Sequence, residues 1–424
     1  MTPYQKFLAQ KQKLAKGDGF TPKITNKFCK DFQGEIITTA CENSRYANFA
    51  GCGLGKGYMQ LEWADQISRR ENKPVLIHTP LAVAGQFLEE GEKFGIEISR
   101  PNGKAKIHVA NYEQIDNLDC SQYVGIALDE ASILKSLDGK TKQKLIEVYQ
   151  RTKYKFPNTA TPSPNDPMEL GNQSEFLNVL SRNEMLAMYF VHDGGETSKW
   201  RLKKHGIEPF YRWVNSWAFF IESPEDLGYD GSEYVLPPLN IEEIRIETEN
   251  RSGGLFNDIA VSATKFNSEL RATMKERMMK TAEIVDTKKD PVIIWVKQDG
   301  EADYLQELLP DAVEVRGSMK TEEKEEKLLG FAKGHFSQLI TKGKIAQYGL
   351  NYQNCPNQIF PSLDYSYESF HQMIRRSWRF GQKKQVNGHL VVTDTMQNVL
   401  ASIKKKQELW QEMISVIRKI RLAS

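Results

Sequence analysis

The sequence predicts an α/β protein of two parallel-sheet lobes in tandem with a helical insertion between them, and three observations point that way. Short, continuously apolar runs closed by turn residues alternate with stretches of helical periodicity, as expected of strands buried on both faces of a parallel sheet. The rhythm runs from Tyr46 to Leu128, stops, and resumes beyond Pro237-Pro238. A chain of 424 residues also exceeds what one ordinary core holds, so a division follows at 1–165, 166–238 and 239–424.

The first lobe opens with a basic, polar segment of helical character over residues 1 to 30, then Phe32-Gln33 and an apolar run. Tyr46-Ala-Asn-Phe-Ala50 reads as a buried strand, and Tyr58 to Ile67 carries apolar residues at helical spacing. Between them lies Gly51-Cys-Gly-Leu-Gly-Lys-Gly57. A glycine turn between a strand and a helix aims backbone N–H groups and a helix N-terminus at an anion, with a lysine for the β- and γ-phosphates. Gly53, Leu54, Gly55, Lys56 and Gly57 are therefore the candidate ATP contacts. A phosphate loop normally follows its lysine with Ser or Thr, whose hydroxyl ligates Mg²⁺, and Gly57 has no such group to offer.

Pro74-Val-Leu-Ile-His-Thr-Pro80 reads as the next strand, ending at Thr79, followed by a helical stretch through Phe94. Ile107 to Tyr112 and Tyr123 to Leu128 supply two more strands, the second running into Asp129-Glu130. Ligands of such sheets bind at the carboxyl ends of the strands, where the glycine turn, Thr79 and the acidic pair would gather. Asp129 can hold the water shell of Mg²⁺ and Glu130 can polarise an attacking water. Phe156 to Asn165 reads as a proline-stiffened loop whose hydroxyls, Thr159 and Thr161 among them, can sense a γ-phosphate.

The ordered set Gln33, GCGLGKG, HTP, DEAS, TATPSPN, GLNYQNC and QMIRRSWRFGQ resembles the superfamily 2 helicases, in particular the Swi/Snf-like branch of bacteriophages and prokaryotes. The resemblance spans nearly the whole chain and implies two RecA-like lobes with ATP bound in the cleft between them. It implies Gln33 as an ATP contact and DNA, duplex or single-stranded, as the track. Thr79, Thr159, Thr161, Gly349 and Asn351 are implied as residues coupling nucleotide to nucleic acid. Gln372, Arg376 and Arg379 are implied as second-lobe members of the catalytic set. The family has threonine where this chain has Gly57, which motivates one competing reading, an ATP-binding, hydrolysis-deficient DNA-binding protein; another keeps the enzyme as an RNA-dependent ATPase.

Residues 166–238 interrupt the strand rhythm and are rich in aromatic and basic residues, including Trp200, Tyr211, Arg212, Trp213 and Trp217. Such a mixture suits base stacking and phosphate contact, whereas Trp213 and Trp217, four apart, also suit the buried stripe of a helix. The second lobe carries strand patterns at 239–246, 291–296, 312–315, 338–341, 358–360 and 388–392, and a helical stretch at Asn267–Asp286. Arg376 and Arg379, three apart on a predicted helix, would project from one face, and a guanidinium suits the charge of phosphoryl transfer. Met396 to Leu422 reads as a basic amphipathic helix docked on the second lobe.

Five dispersed cysteines without a CxxC pair argue against a disulfide framework or structural zinc, and the seven histidines form no ligand cluster. No apolar run approaches the ~20 residues needed to cross a bilayer, so no membrane partner is expected and the location expected is the cytoplasm, a host's if phage-encoded. A net charge of +2 neither requires nor excludes a nucleic acid. Partners in replication or recombination are not legible.

Overall fold

The computed structural model describes residues 17–80, 83–135, 139–193, 196–246, 263–346, 351–363, 365–393 and 397–422. Part of the expected N-terminal helical segment, and Gly349 altogether, lie outside the described residues. The chain divides into two compact units, residues 1–232 with 410–424, and residues 233–409.

The first unit runs α1 (Asp31–Asn43), β1 (Ala47–Ala50), α2 (Lys56–Glu71), β2 (Val75–Thr79), α3 (Ala84–Phe94), β3 (Ile98–Ser99), β4 (Ile107–Asn111), β5 (Gly125–Asp129), α4 (Lys140–Val148) and β6 (Tyr154–Asn158). It continues through α5 (Leu170–Phe176), α6 (Arg182–Tyr189), β7 (Phe190–Asp193), β8 (Glu196–Leu202), α7 (Ile207–Asn215) and β9 (Ala218–Ile221). Seven strands form one sheet in the order β3-β4-β2-β5-β6-β1-β9, and every pairing in it is parallel. Strands β1, β2, β4 and β9 are buried at every residue. That explains their continuous rather than alternating apolar pattern. Because all strands run the same way, Ala50, Thr79, Asp129 and Asn158 end on one edge of the sheet.

Two elements depart from the sequence reading. The stretch expected to be a loop from Phe156 begins inside strand β6, which lies between β5 and β1. Pro157 hides it, since proline is seldom found in central strands. The backbone N–H groups of Lys155 and Thr159 donate to Ser44 and Asn48 on the β1 side. Pro157 occupies the alternate position between them, so the ladder forgoes one rung. Second, the 166–238 segment does contain helices, but it also holds the antiparallel β7–β8 hairpin and strand β9. That strand pairs with β1 from Ala47–Ala218 to Ala50–Ile221. The Trp217-Ala-Phe-Phe-Ile221 run is apolar enough to border β1, and Trp213 and Trp217 are buried with ring centroids 5.3 Å apart. These tryptophans are core, not a base-stacking surface.

The second unit runs β10 (Leu239–Ile246), α8 (Ala263–Ala272), α9 (Met274–Asp286), β11 (Val292–Val296), α10 (Asp299–Leu308), β12 (Val313–Val315), α11 (Thr321–Ala332) and β13 (Gln338–Lys342). There follow α12 (Gly343–Ala346), β14 (Asn357–Phe360), α13 (Tyr367–Ile374), β15 (Val386–Thr393) and the start of α14 (Gln397–Leu422). Its sheet is again wholly parallel, in the order β10-β15-β14-β11-β13-β12. Ile294, Ile340, Ile359 and Val391 from four strands meet Met278 and Leu305 from flanking helices in its core. The predicted α/β class, with two parallel-sheet lobes in tandem, is what the chain adopts.

Helix α14 differs from expectation in its partners. Its first half is held in the second unit by Lys404, paired with Glu243, and Lys406, which donates to Tyr365 O. Residues from Trp410 onward belong to the first unit. There Ser163 Oγ donates to Met413 Sδ at 3.5 Å and Arg418 pairs with Asp226 at 2.7 Å.

Candidate functional site

The glycine turn leaves β1 and enters α2 through two positive-φ glycines, Gly53 at 91° and Gly55 at 82°. Positive φ is the reason glycine is needed at those two positions. Gln33, on α1, donates through Nε2 to Leu54 O at 2.9 Å and accepts from Lys30 N at 3.1 Å. A Cβ on Gly55 would lie 2.5 Å from that Nε2, so the same glycine also admits the close approach of the Gln33 amide. The structure thus brings Gln33, Leu54 and Gly55 together. Lys56, the first residue of α2, donates through Nζ to Ala50 O at 2.8 Å and Gly51 O at 3.1 Å, which folds the ammonium back over the turn.

One helical turn beyond Lys56 stands Gln60, whose Nε2 donates to Asp129 Oδ1 at 2.9 Å. This bond ties the helix of the glycine turn to the acidic pair. Tyr112 OH donates to Asp129 O at 2.6 Å. Burial, and after it the charges of Asp129 and Glu130, push the Tyr112 phenol well above its ordinary pKa, so it remains a donor. Glu130 sits at φ 50°, a left-handed conformation that non-glycine residues adopt at a cost and that clusters at functional sites. Thr159 Oγ1 lies 3.5 Å from Glu130 Oε2 and accepts from Thr161 N at 3.1 Å. The residue after β6 thus reaches the acidic pair. Thr79 is buried and donates to its neighbour Pro80 O.

Gly57 faces helix α3. A Cβ placed on it would lie 2.5 Å from Glu90 Oε2, and Gln86 Nε2 holds the other carboxylate oxygen, Oε1, at 2.7 Å. Among the described residues no three His, Cys, Asp or Glu side chains gather into a metal cage. Asp129 and Glu130, adjacent at the end of β5, are nevertheless hard oxygen donors, and Mg²⁺ is ordinarily held by one or two carboxylates, waters and substrate phosphates. The donor set fits that ion and does not suit zinc.

In the second unit the helix expected to carry Arg376 and Arg379 ends at Ile374. Arg376 O accepts from Tyr352 N at 2.9 Å and Gln382 Nε2 donates to Ser377 O and Gln353 O. These partners replace helical ones and turn the chain into Gly381, at φ 89°. The arginines therefore lie on a braced loop, not on a helix face. Arg376 is buried, with Nε donating to Gln372 O at 3.3 Å. Gln372 is buried on α13. Asn351 Oδ1 caps Gln353 N, so residues 351–353 and 376–382 form one tied pair of segments.

Four groups escaped sequence reasoning. Gln60 stands one turn from Lys56, a position that helical spacing could have singled out. Tyr112 and Glu90 act from elements whose placement only pairing and packing decide. The fourth is a cavity of ≈ 280 Å³ in the second unit, lined by Lys297, Lys342, Lys344, Ser362, Ser366 and Ser369 among others. It lies beyond the ends of β11 and β13, and its lysines are scattered in sequence.

A model of the helicase conserved C-terminal domain matches residues 274–381. No curated protein matches the chain. Among solved structures, the Sulfolobus solfataricus SWI2/SNF2 ATPase core in complex with dsDNA aligns over 96% of this chain and 97% of that one, at 15% identity and a TM-score of 0.42. A likeness at that level carries no inference about activity. The family similarity itself lies wholly within the second unit, where it takes in Gln372, Arg376 and Arg379.

Proposed function

We propose that the chain is an ATP-dependent DNA translocase or helicase of the Swi/Snf-like branch of superfamily 2. The observation that carries the reading is the bond from Gln60 to Asp129, which joins a lysine-bearing glycine turn to an acidic pair on one edge of a parallel sheet. That is the apparatus for holding a triphosphate and hydrolysing it. Lys56 takes the β- and γ-phosphates, within reach of the N–H groups of Gly53 to Gly57, and Gln33 braces the turn.

Asp129 holds the metal's water shell and Glu130 orients the attacking water. A Mg²⁺ held there would neutralise phosphate charge. Thr159, bonded to Glu130, is placed to report the γ-phosphate to the following segment with Thr161, and Thr79 acts with them in coupling. Turnover is proposed to depend as well on Arg376 and Arg379, assisted by Gln372. The segment with Gly349 and Asn351 transmits the change to the track. DNA is the proposed track on the sequence resemblance, and the lysines of the second-unit cavity suit its phosphates.

The test is ATP turnover by the full chain without nucleic acid, then with single-stranded DNA, duplex DNA and RNA. Stimulation by DNA, lost by at least about 100-fold in Glu130→Gln, is the expected result. The absence of a hydroxyl at Gly57 favours one second reading, an ATP-binding protein that does not hydrolyse. No turnover with any nucleic acid, restored in Gly57→Thr, would establish it. Stimulation by RNA alone would instead reassign the track.

A further inference from the structure

Resting on the ATP reading just given, we propose that Glu90 replaces the missing hydroxyl of Gly57, lending the metal's coordination shell a carboxylate oxygen from helix α3 and making nucleotide binding obligately metal-dependent. The glycine is then half of a paired arrangement rather than a lost ligand.

The geometry is specific. Gly57 is the second residue of α2, adjacent to Lys56. Glu90 Oε2 lies 2.5 Å and its Cδ 3.4 Å from the point a Cβ of residue 57 would occupy. Real Cβ atoms essentially never approach an oxygen that closely, so the carboxylate stands in space that only glycine leaves. Gln86, one turn earlier on the same helix, donates to Oε1 at 2.7 Å, which fixes the rotation of the group and turns Oε2 toward the start of α2. A half-buried anion beside a helix N-terminus is stabilised there by the helix dipole, so the position is tenable in the protein alone.

The replacement is not neutral. A threonine hydroxyl brings an oxygen without charge, whereas Glu90 brings a negative charge next to the place proposed for three phosphate oxygens. Without a cation, carboxylate and triphosphate repel each other. With Mg²⁺ between them both become ligands of one hard ion. The predicted consequence is an unusually large gap between metal-free and metal-bound nucleotide affinity.

Isothermal titration of the full chain with ATP, in EDTA and in Mg²⁺, measures that gap, and bound Mn²⁺ in the presence of ADP, read by paramagnetic resonance, reports the metal directly. In Glu90→Gln, which keeps shape and the Gln86 contact, we expect ATP affinity in EDTA to rise about tenfold and the gain from Mg²⁺ to shrink by a similar factor. The Mn²⁺ signal should change its coordination spectrum. Glu90→Asp keeps the charge but retracts it, and should retain part of the metal dependence. The double variant Gly57→Thr with Glu90→Ala removes the steric conflict and should restore Mg²⁺ dependence to the level of a hydroxyl-bearing turn. If Glu90→Gln, still folded by its thermal transition, binds ATP with unchanged metal dependence and an unchanged Mn²⁺ spectrum, Glu90 is only a brace for α2 and the proposal fails while the ATP reading survives. If the wild-type chain binds no ATP in either condition, both fail together.

Discussion

Lys155 shows how much a single residue can impose on the sheet. It is fully buried on the central strand β6, with Nζ donating to Phe176 O at 2.7 Å and to Asn178 Oδ1 at 3.3 Å. Burial first, and the nearby Arg45 second, lower its pKa from 10.5 to about 7. Between those values the unfolded chain holds a proton that the folded chain has released, so the fold gains stability as pH rises through that window. The gain is limited to about 1.4 kcal/mol per pH unit. Urea unfolding at pH 7 and 9 should show the wild type gaining about 2 kcal/mol relative to Lys155→Met, since the variant cancels every other titrating group. A constant difference between the two proteins across that range would show that Lys155 keeps its charge when folded. The same scale governs Glu130, whose positive φ and bond to Thr159 were invisible in a two-letter acidic motif.

At the scale of elements, the second unit is pinned by an ion pair with no exposure on either side. Arg277 of α9 reaches Glu301 of α10 at 3.1 Å, and its guanidinium also donates to Pro361 O and Ser362 Oγ beyond the end of β14. Glu301 in turn accepts from the backbone of Lys297 and Gln298, so one carboxylate holds the end of β11, the start of α10 and α9 in register. Removing one partner leaves an uncompensated buried charge, and Glu301→Ala should destabilise by about 3–5 kcal/mol in chemical denaturation. Replacing both, as Arg277→Met with Glu301→Leu, should recover much of that loss. Because Lys297 also lines the cavity of this unit, Glu301→Ala is expected to weaken nucleic-acid binding beyond its effect on folding.

Helix ends were the least legible elements. The spacing of Arg376 and Arg379 suits a helix, but the helix ends at Ile374 and the carbonyl of Arg376 is taken by the backbone N–H of Tyr352, a residue distant in sequence. Strand β6 was missed for the opposite reason. Its proline speaks locally against a strand, and only neighbours on both sides make the missing rung tolerable.

For the whole molecule, both units repeat one plan, a parallel sheet with its strand ends on a single edge; the glycine turn and acidic pair collect there in the first unit and the lysine-lined cavity in the second, whereas the arginine segment is tied to residues that precede β10 and β14. If the cavity lysines meet DNA phosphates, the dependence of affinity on salt will report it. Substituting Lys297, Lys342 and Lys344 by alanine should flatten the slope of log affinity against log salt by about 1 per lysine that contacts a phosphate. An unchanged slope in the triple variant would place the track elsewhere.

The sequence by itself determined the class of fold, the glycine turn and its lysine, the acidic pair at a strand end and the absence of a hydroxyl at Gly57, because each is written in contiguous residues with a local period. Tertiary structure alone decided that Gln60 bonds Asp129, that Thr159 reaches Glu130, that the arginines sit on a braced loop and that Glu90 stands against Gly57. Those contacts join residues far apart in the chain or on different elements, and their distances are set by how parallel strands and their covering helices pack, which no local pattern encodes.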